Sequence, residues 1–422
     1  MLAATRTTHT CRLITISAAL VLGIFCSAVA ADDDVPDPNP LILMYPGAKD
    51  AGAPPAIKPG MRITYYGGSA SIPGSYKQTV YDPNGNEWKN TNTGQTLPWK
   101  NVDVPSASGD GYRVIRVNHI DDKIAVVSAS DYLHDPLAKR MLPVGGFGVA
   151  TNAGCAADFW VHPKVLKAIE PKNDDGVVIM PMKLQMGQKK FDGLRFQVSG
   201  DKSYTMKVYD LETGLLLLHA ARAEGSAIPT PGIGGKLTPG AGATILSVGY
   251  LADLTYVDLP WKDAPVPDWV GNFRSLSYQG AYTSSLTGVG SMTKQFQLTM
   301  TVKQRGQKWV RLDAKSAYFF QGVPAGGAQQ PTVYGSASVG GLWIAPKVLA
   351  KLRKGQEIES NKLTHTKLIV SDVGEGYVTI SEIGDAHRND VTYNTQSGVL
   401  QNGNMVVPFG TGTARTTMQL TE

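Results

Sequence analysis

The chain has 422 residues, of which 42% are hydrophobic, and its 40 Lys and Arg residues against 35 Asp and Glu residues give a net charge of +5. So small a surplus, with no run of basic residues longer than two, excludes the phosphate-binding patch of a nucleic-acid-binding protein. The length is sufficient for two domains, each with its own hydrophobic core.

The chain begins with the pattern of a secretory signal peptide. Arg6 and Arg12 precede an apolar stretch over residues 13–29, which ends in the small-residue motif Ala28-Val29-Ala30. Because this stretch is short for a membrane span, we predict cleavage after residue 30, export to a bacterial periplasm or the cell exterior, and no transmembrane segment afterwards. Cleavage leaves Cys155 as the one remaining cysteine, so no intramolecular disulfide is expected.

Residues 31–59 are rich in Pro, Asp, Ala and Gly and are predicted to form an extended leader. Beyond them, short segments rich in β-branched and aromatic residues alternate with turn residues, which is typical of β-strands. The predicted strands cover residues 112–117, 124–128, 194–198, 204–209, 215–219, 297–302, 309–313, 367–370 and 377–380. The predicted fold class is therefore mainly β, with a minor α component.

Helix is predicted at two places, 163–169 and 346–352, which share the pattern Pro-Lys-Val-Leu-x-x-(Ile/Leu). Proline suits the first position of a helix because the amide that it lacks would be unpaired there. The apolar residues that follow form one stripe, so each short helix is expected to pack on a sheet.

Three pairs of similar segments occur in the same order along the chain and predict a tandem duplication. Residues 159–166 match 342–349, residues 209–216 match 393–400, and residues 63–67 match 276–280 more loosely. We therefore predict two repeats, each a curved antiparallel sheet with one or two short helices. Their predicted bounds are 60–261, with a polar insertion at 84–109, and 269–422, with a proline-containing linker at 262–268.

The second matched pair has the pattern Tyr-(Asp/Asn)-x-x-(Thr/Ser)-Gly-(Leu/Val)-Leu, which is typical of a strand, a tight turn and a second strand. Gly214 and Gly398 occupy the same position in this pattern. Because tight turns often require a left-handed residue, we expect positive φ at both glycines.

Motifs for common chemistries are not matched. Residues 232–238 lack the first glycine and the final Ser or Thr of a phosphate-binding loop, and no nucleophile elbow or zinc or calcium motif occurs. His387, between Asp385 and Asp390, suits a metal ligand or a general base, although a lone histidine in a polar loop is more often solvated. We predict no catalytic residue, metal or cofactor, and the chain is interpreted as a non-enzyme.

The duplication supports this interpretation, because the alignment of the repeats pairs none of the candidate residues with its own kind. His162, His119 and His219 align with Ala345, Gln304 and Gly403, and Cys155 aligns with Ser338. Cys155 is interpreted as a small core residue, with a reactive thiol as the alternative.

Aromatic residues are the candidate ligand-binding residues. Trp160, Trp343, Tyr209 and Tyr393 recur in both repeats and either line a pocket between sheet and helix or fill the core. Trp88 and Trp99 lie in the polar insertion, where exposed tryptophans suit stacking on a sugar or on a partner protein.

A signal peptide, a mostly antiparallel repeat and the segment Tyr-Asp-Leu-Glu-Thr-Gly-Leu-Leu-Leu at 209–217 together resemble the lipoprotein carriers (Lol type) of bacterial envelopes. The resemblance rests on one hairpin in each repeat. It implies half-barrels whose concave apolar face holds acyl chains, and it carries over no functional residue.

These observations predict an exported, non-enzymatic protein that binds a lipid or other apolar ligand, or a protein or glycan of the envelope. The first alternative is a structural or adhesive envelope component without a pocket, and the second is a secreted hydrolase. A cavity in each repeat would favour the first interpretation over the structural one, whereas a cleft with a histidine and two carboxylates would favour the hydrolase.

Overall fold

The computed structural model describes residues 45–421, except for residues 46, 73 and 263 and the segments 79–99, 105–106, 136–137, 157–158, 201–202, 225–227, 230–235, 240–243, 287–289, 321–322, 337–340 and 410–411. The predicted signal peptide, the first part of the predicted leader, and Trp88 and Trp99 of the predicted insertion lie outside the described residues.

The fold is mainly β and antiparallel, as predicted. The first half of the chain forms strands β1 (Met61–Ile72), β2 (Gly74–Gln78), β3 (Lys100–Val104), β4 (Ala107–Ile120), β5 (Ile124–Asp135), β6 (Arg140–Asn152), β7 (Cys155–Ala156), β8 (Trp160–Val161), β9 (Lys172–Asp174), β10 (Val177–Met186), β11 (Lys189–Gly200), β12 (Ser203–Asp210), β13 (Leu216–Glu224), β14 (Ile228–Pro229), β15 (Lys236–Pro239) and β16 (Thr244–Tyr256). The second half forms β17 (Ser275–Leu286), β18 (Gly290–Arg305), β19 (Trp309–Phe320), β20 (Val323–Gly335), β21 (Glu357–Asn361), β22 (Thr366–Gly374), β23 (Tyr377–Ile383), β24 (Arg388–Asn394), β25 (Leu400–Phe409) and β26 (Gly412–Leu420).

Helix is scarce in the described part of the chain, which has three short α-helices and one 3₁₀ turn. The helices are α1 (Pro163–Ala168), α2 (Asp268–Asn272) and α3 (Pro346–Leu349), and the 3₁₀ turn covers Ala48–Asp50. Helices α1 and α3 begin at the prolines that the sequence predicted, while α2 was not predicted. None of the described helices is long and apolar enough to cross a membrane.

The strands form two large sheets and one small sheet. The strand order is β8-β7-β6-β5-β4-β1-β16-β13-β12-β11-β10-β9 in the first sheet and β20-β19-β18-β17-β26-β25-β24-β23-β22-β21 in the second. The small sheet has the order β14-β15-β2-β3. Apart from the two-residue strands β7 and β8, the two large sheets have the same order, and in each the first strand pairs with the last.

The register is also the same at the centre of the two sheets. Tyr65 of β1 lies opposite Arg113 of β4, and the matched Tyr278 of β17 lies opposite Leu298 of β18. The residue numbers of the two tyrosines differ by 213, whereas those of their partners, Arg113 and Leu298, differ by 185. The connection between β1 and β4 is therefore about 28 residues longer than the matching connection between β17 and β18. The predicted insertion, 84–109, overlaps the connection between β1 and β4 and extends into the first residues of β4.

The matched hairpins adopt the same geometry, and both glycines have the predicted positive φ, 81° at Gly214 and 77° at Gly398. The Gly214 carbonyl accepts a hydrogen bond from the Val161 amide, as the Gly398 carbonyl does from the Ile344 amide, each at 2.9 Å. A Cβ atom on Gly214 would lie 2.1 Å from the Val161 carbonyl oxygen, so this close approach also requires glycine.

Each large sheet has its own core, and a segment that precedes its first strand packs into that core. Tyr45, Ala48 and Ile57 are buried in the core of the first sheet, although the sequence predicted an extended leader over 31–59. Trp261 and Val270, on either side of the predicted linker, are buried in the core of the second sheet. These five residues are therefore parts of the two cores, because their apolar side chains remove surface from water there.

Candidate functional site

The aromatic residues that the sequence pairs lie in the two cores. Trp160 and Tyr209 are fully buried in the core of the first sheet, and Trp343 and Tyr393 are buried in that of the second. The indole Nε1 of Trp160 donates a hydrogen bond of 2.9 Å to the Ala153 carbonyl. These positions correspond to the core alternative of the sequence analysis, and a role of the four residues in ligand binding stays a prediction.

The chain itself contacts these aromatic rings. Tyr45 packs edge-on against Phe196 and Tyr209, with ring centroids 5.0 and 5.8 Å away, and its hydroxyl donates to that of Tyr209 at 3.1 Å. In the second sheet the Trp269 ring lies 6.3 Å from that of Trp343. Tyr45 and Trp269, which precede the first strands, therefore occupy part of the space beside the aromatic residues to which the sequence analysis assigned a ligand.

The opposite face of the first sheet, here called the outer face, carries a different set of residues. Along β1, Ile63 and Tyr65 point into the core, so Thr64 and Tyr66 point to the outer face. By the same alternation Ile115 of β4 points into the core and Tyr112 points outward, and Leu251 of β16 packs on the core while Tyr250 points outward.

Four tyrosines form a continuous row on this outer face, called here the tyrosine row. Tyr132 of β5 lies directly opposite Tyr112 of β4, Tyr112 opposite Tyr66 of β1, and Tyr66 opposite Tyr250 of β16. The ring centroids of Tyr66 and Tyr112 are 5.1 Å apart and those of Tyr66 and Tyr250 are 5.4 Å apart. Cross-strand aromatic pairs of this kind stabilise a sheet, yet 42% of the Tyr250 side chain remains exposed.

Tyr66, in the middle of the tyrosine row, is hydrogen-bonded to an acidic residue, Asp110. The Tyr66 hydroxyl donates a short hydrogen bond to Asp110, whose other carboxylate oxygen lies 3.4 Å from Nδ1 of His134. The hydrogen bond to Asp110, together with burial and the charge of that carboxylate, raises the pKa of Tyr66 to about 12. Tyr66 therefore stays protonated at physiological pH and serves as a hydrogen-bond donor rather than as a nucleophile or a base.

The second sheet lacks this row at the matched positions. The residues that occupy the same places in its cross-strand pairing are Ala317 of β19, Gln297 of β18, Gln279 of β17 and Gln419 of β26. All three glutamines are exposed. Because the common fold is built with exposed glutamines in one sheet, the fold itself does not require tyrosines at these positions in the other.

The second sheet covers one end of the tyrosine row. Tyr132 is 1% exposed. Its hydroxyl donates a hydrogen bond of 2.9 Å to Glu382 of β23, a strand of the second sheet. The ring of His387 packs at 6.0 Å from the Tyr132 ring, and its Nε2 lies 3.2 Å from Glu382. Burial raises the pKa of Glu382, but the His387 hydrogen bond, the charge of Arg116 and the Tyr132 hydrogen bond together hold it below its ordinary value.

A buried ion-pair cluster lies beside this contact. Arg62 of β1 and Arg116 of β4 both donate to Glu359 of β21, at 2.7 and 3.1 Å. Because a buried charge is tolerated only when it is paired, two arginines from one sheet on a single carboxylate from the other fix the mutual position of the sheets. An apolar cluster adds to the contact, and it consists of Ile124, Val126 and Ala150 from the first sheet with Trp309 and Val333 from the second.

The histidine that the sequence analysis singled out belongs to this contact. His387 is buried between Glu382 and Tyr132, which differs from the solvated position expected for a histidine in a polar loop. Cys155 is buried in the first core, as expected from its interpretation as a small core residue. Within the described residues, no group of three or more His, Cys, Asp or Glu side chains is arranged to hold a metal ion.

Sequence reasoning missed the tyrosine row, although a local signal for it exists. Each of its three solvent-facing tyrosines is adjacent to a glycine in the sequence, as Tyr66-Gly67, Gly111-Tyr112 and Gly249-Tyr250. The glycines lie opposite one another on the core-facing side of the same strands. A tyrosine beside a glycine, repeated in three strands, places bulky rings on one face and no side chains on the other.

Comparison with known proteins gives no family for this chain. No protein-family model matches it, and no curated protein matches it significantly. Among solved structures, a putative AttH from Nitrosomonas europaea is 9% identical over 85% of this chain and 92% of its own, with a TM-score of 0.13.

Two transferrin-binding proteins B are similarly distant. The intact Ap-TbpB, with N and C lobes, is 8% identical over 87% of this chain and 79% of its own, and the Haemophilus parasuis protein, a double mutant, is 7% identical over 88% and 78%; both have TM-scores of 0.14. TM-scores this low support no inference about function, and the resemblance to the Lol-type carriers stays a prediction.

Proposed function

We propose that this chain is an exported, non-enzymatic binding protein whose binding surface is the solvent-facing part of the tyrosine row, Tyr112, Tyr66 and Tyr250. The observation that supports this proposal most is the difference between the two sheets. At matched positions of the same pairing scheme, the first sheet has tyrosines where the second has exposed glutamines.

Tyr66 and Tyr112 are partly exposed and Tyr250 is 42% exposed, and aromatic rings in contact with water lower solubility. Soluble proteins rarely expose contiguous apolar surface unless it contacts a partner or a ligand, and tyrosine is enriched where binding energy is concentrated. Val248, which precedes the Gly249-Tyr250 pair on the same face of β16, is 50% exposed and extends the apolar surface. The row also lies on a sheet that is fixed by its contact with the second sheet, which favours a preformed surface.

This proposal includes the tandem duplication and the export predicted from the sequence. An ancestral sheet that was duplicated could keep its fold in both copies while one copy acquired a binding surface, and the equal strand orders support that origin. The structural alternative, an envelope component without a binding surface, would leave no role for the exposed rings.

The test is retention of the purified mature protein on the envelope fraction of the cells that produce it, measured by co-sedimentation. Tyr66→Gln combined with Tyr250→Gln gives the first sheet the residues of the second at these two positions, and we expect at least a tenfold weaker retention, as for the loss of two anchoring tyrosines. The matched control, Gln279→Ala with Gln419→Ala, should be retained like the wild type. Equal retention of both variants would refute the proposed binding surface.

A further inference from the structure

We infer that the occupant of the tyrosine row is a polypeptide, a partner protein that covers Tyr112, Tyr66 and Tyr250 as the second sheet already covers Tyr132. This inference rests on the proposed function, since it specifies the class of ligand for the same surface. It is supported by the fact that Tyr132, at one end of the row, already lies in the contact between the two sheets, and that Tyr112 is its direct cross-strand neighbour.

The chain shows how a polypeptide recognises one member of the row. Over Tyr132 the second sheet places an imidazole ring, that of His387, and a carboxylate, that of Glu382, which accepts the tyrosine hydroxyl at 2.9 Å. The next three tyrosines of the same row present the same type of ring and hydroxyl, in cross-strand register, beyond the edge of that contact. A partner that brings ring and acceptor groups to them would extend an existing protein–protein contact.

The arrangement of the rings also favours a polypeptide over a sugar polymer. The planes of Tyr66 and Tyr112 are inclined by 60° and those of Tyr66 and Tyr250 by 55°, so neighbouring rings do not form one flat platform. Side chains of a protein fit between inclined rings, and aromatic pairs prefer such edge-to-face contacts.

The charges around the row are consistent with this occupant and disfavour an anionic one. The neighbours on the same face are Asp110 and Val114 on β4, Thr64 and Gly68 on β1, Val248 on β16, and Leu218 of β13, which lies opposite Tyr250. Asp110 is the one ionisable residue of this set, and its charge would repel an anionic polymer or lipid headgroup. Since Asp110 is already engaged by Tyr66 and His134, the partner needs no buried cation to neutralise it.

Site-specific photocrosslinking in living cells tests the inference. The crosslinking amino acid benzoylphenylalanine is placed at position 250 or 112 of the full-length protein and, as a matched control, at position 419 or 297 of the second sheet. After irradiation, adducts are separated by mass, treated with protease or with glycan-cleaving periodate, and identified by mass spectrometry.

We expect the same protein partner from positions 250 and 112, in adducts that protease removes, no such adduct from positions 419 and 297, and at least a tenfold smaller yield when Tyr66→Gln is added. An adduct that resists protease but is lost on periodate treatment, or one whose mass is that of a lipid, would overturn the inference while leaving the proposed binding surface intact. An adduct to a second copy of this chain would show that the protein associates with itself at this surface, and it would refute the inference of a separate partner protein. No adduct at any position, with unaltered envelope retention of the glutamine variant, would refute the proposed function itself.

Discussion

Tyr66 and Gln279 occupy the same position in the two sheets, each at the centre of a first strand that pairs with the last strand of its sheet. Tyr66 contacts a tyrosine on either side, whereas Gln279 lies between Gln297 and Gln419. One fold thus carries an aromatic outer face in one sheet and a polar one in the other.

The matched turns predict a selective effect of substitution at glycine. Gly214→Ala should lower the free energy of unfolding by more than the roughly 1–2 kcal/mol of a left-handed alanine, because its Cβ would also lie 2.1 Å from the Val161 carbonyl oxygen. Urea denaturation measures the change. Gly187→Ala is the control, since Gly187 has a φ of 61° with no atom near the added Cβ, and it should cost only the conformational part. Equal costs at the two positions would contradict the close approach.

The buried tryptophans predict large losses of stability. Because Trp160 and Trp343 are enclosed by the cores, Trp160→Ala and Trp343→Ala should each cost roughly 3–5 kcal/mol, as large-to-small core changes do. Thermal melts with and without a fluorescent fatty acid distinguish this from the ligand-pocket alternative. A small cost together with lost binding of the fatty acid would instead place a pocket at these residues.

The ion pairs of Glu359 with Arg62 and Arg116 predict how the free energy of unfolding falls at acidic pH. Burial raises the pKa of Glu359, but the charge of Arg116 and the hydrogen bonds from Arg62 and Arg116 hold it below its ordinary value of 4.5. A carboxyl group whose pKa is lowered by folding stabilises the folded state above its unfolded pKa, and this stabilisation is lost as the pH falls through the lowered value.

Glu359→Gln should therefore flatten the loss of stability as the pH falls below about 4.5, and at pH 7 it should cost about 3–5 kcal/mol, because two buried arginines lose their partner. Chemical denaturation across this pH range measures both effects. Glu357→Gln, on the same strand but half exposed, is the control and should change the profile little. If the free energy of unfolding of Glu359→Gln depended on pH as that of the wild type does, this carboxylate would not be the cause of the loss of stability at acidic pH.

The covered end of the row predicts that its tyrosines differ in their contribution to stability. Tyr132→Phe removes the buried hydroxyl that donates to the partly buried Glu382 carboxylate and should cost about 1–3 kcal/mol. Tyr250→Phe should change the free energy of unfolding by less than about 0.5 kcal/mol, since its side chain is 42% exposed. Similar values for the two substitutions, from guanidinium denaturation, would mean that the hydroxyl of Tyr132 contributes nothing to the contact between the sheets.

The features that the sequence predicted are local ones. The turn at Gly214 and the helix that begins at Pro163 are set by residues within a few positions of one another, so their patterns are readable and recur at Gly398 and Pro346. The strand segments could likewise be recognised from composition.

The tyrosine row could not be predicted because long-range register creates it. Tyr66 meets Tyr112 and Tyr250 across 46 and 184 positions of the sequence, through the pairing of the first strand of the sheet with β4 and with its last strand. A register shift of one residue would place these rings on the core-facing side of the sheet instead of the outer face. The burial of His387 has the same origin, since its partner Tyr132 belongs to the other sheet.

The tyrosine row is the proposed binding surface, and we expect the fold to form without it. The most direct measurement combines envelope retention and urea denaturation for one variant, Tyr112→Gln with Tyr66→Gln and Tyr250→Gln, which copies the residues of the second sheet. We predict that retention is lost while the free energy of unfolding falls by only about 1–2 kcal/mol, the order expected for cross-strand aromatic pairs. Retention equal to that of the wild type in a folded variant would contradict the claim.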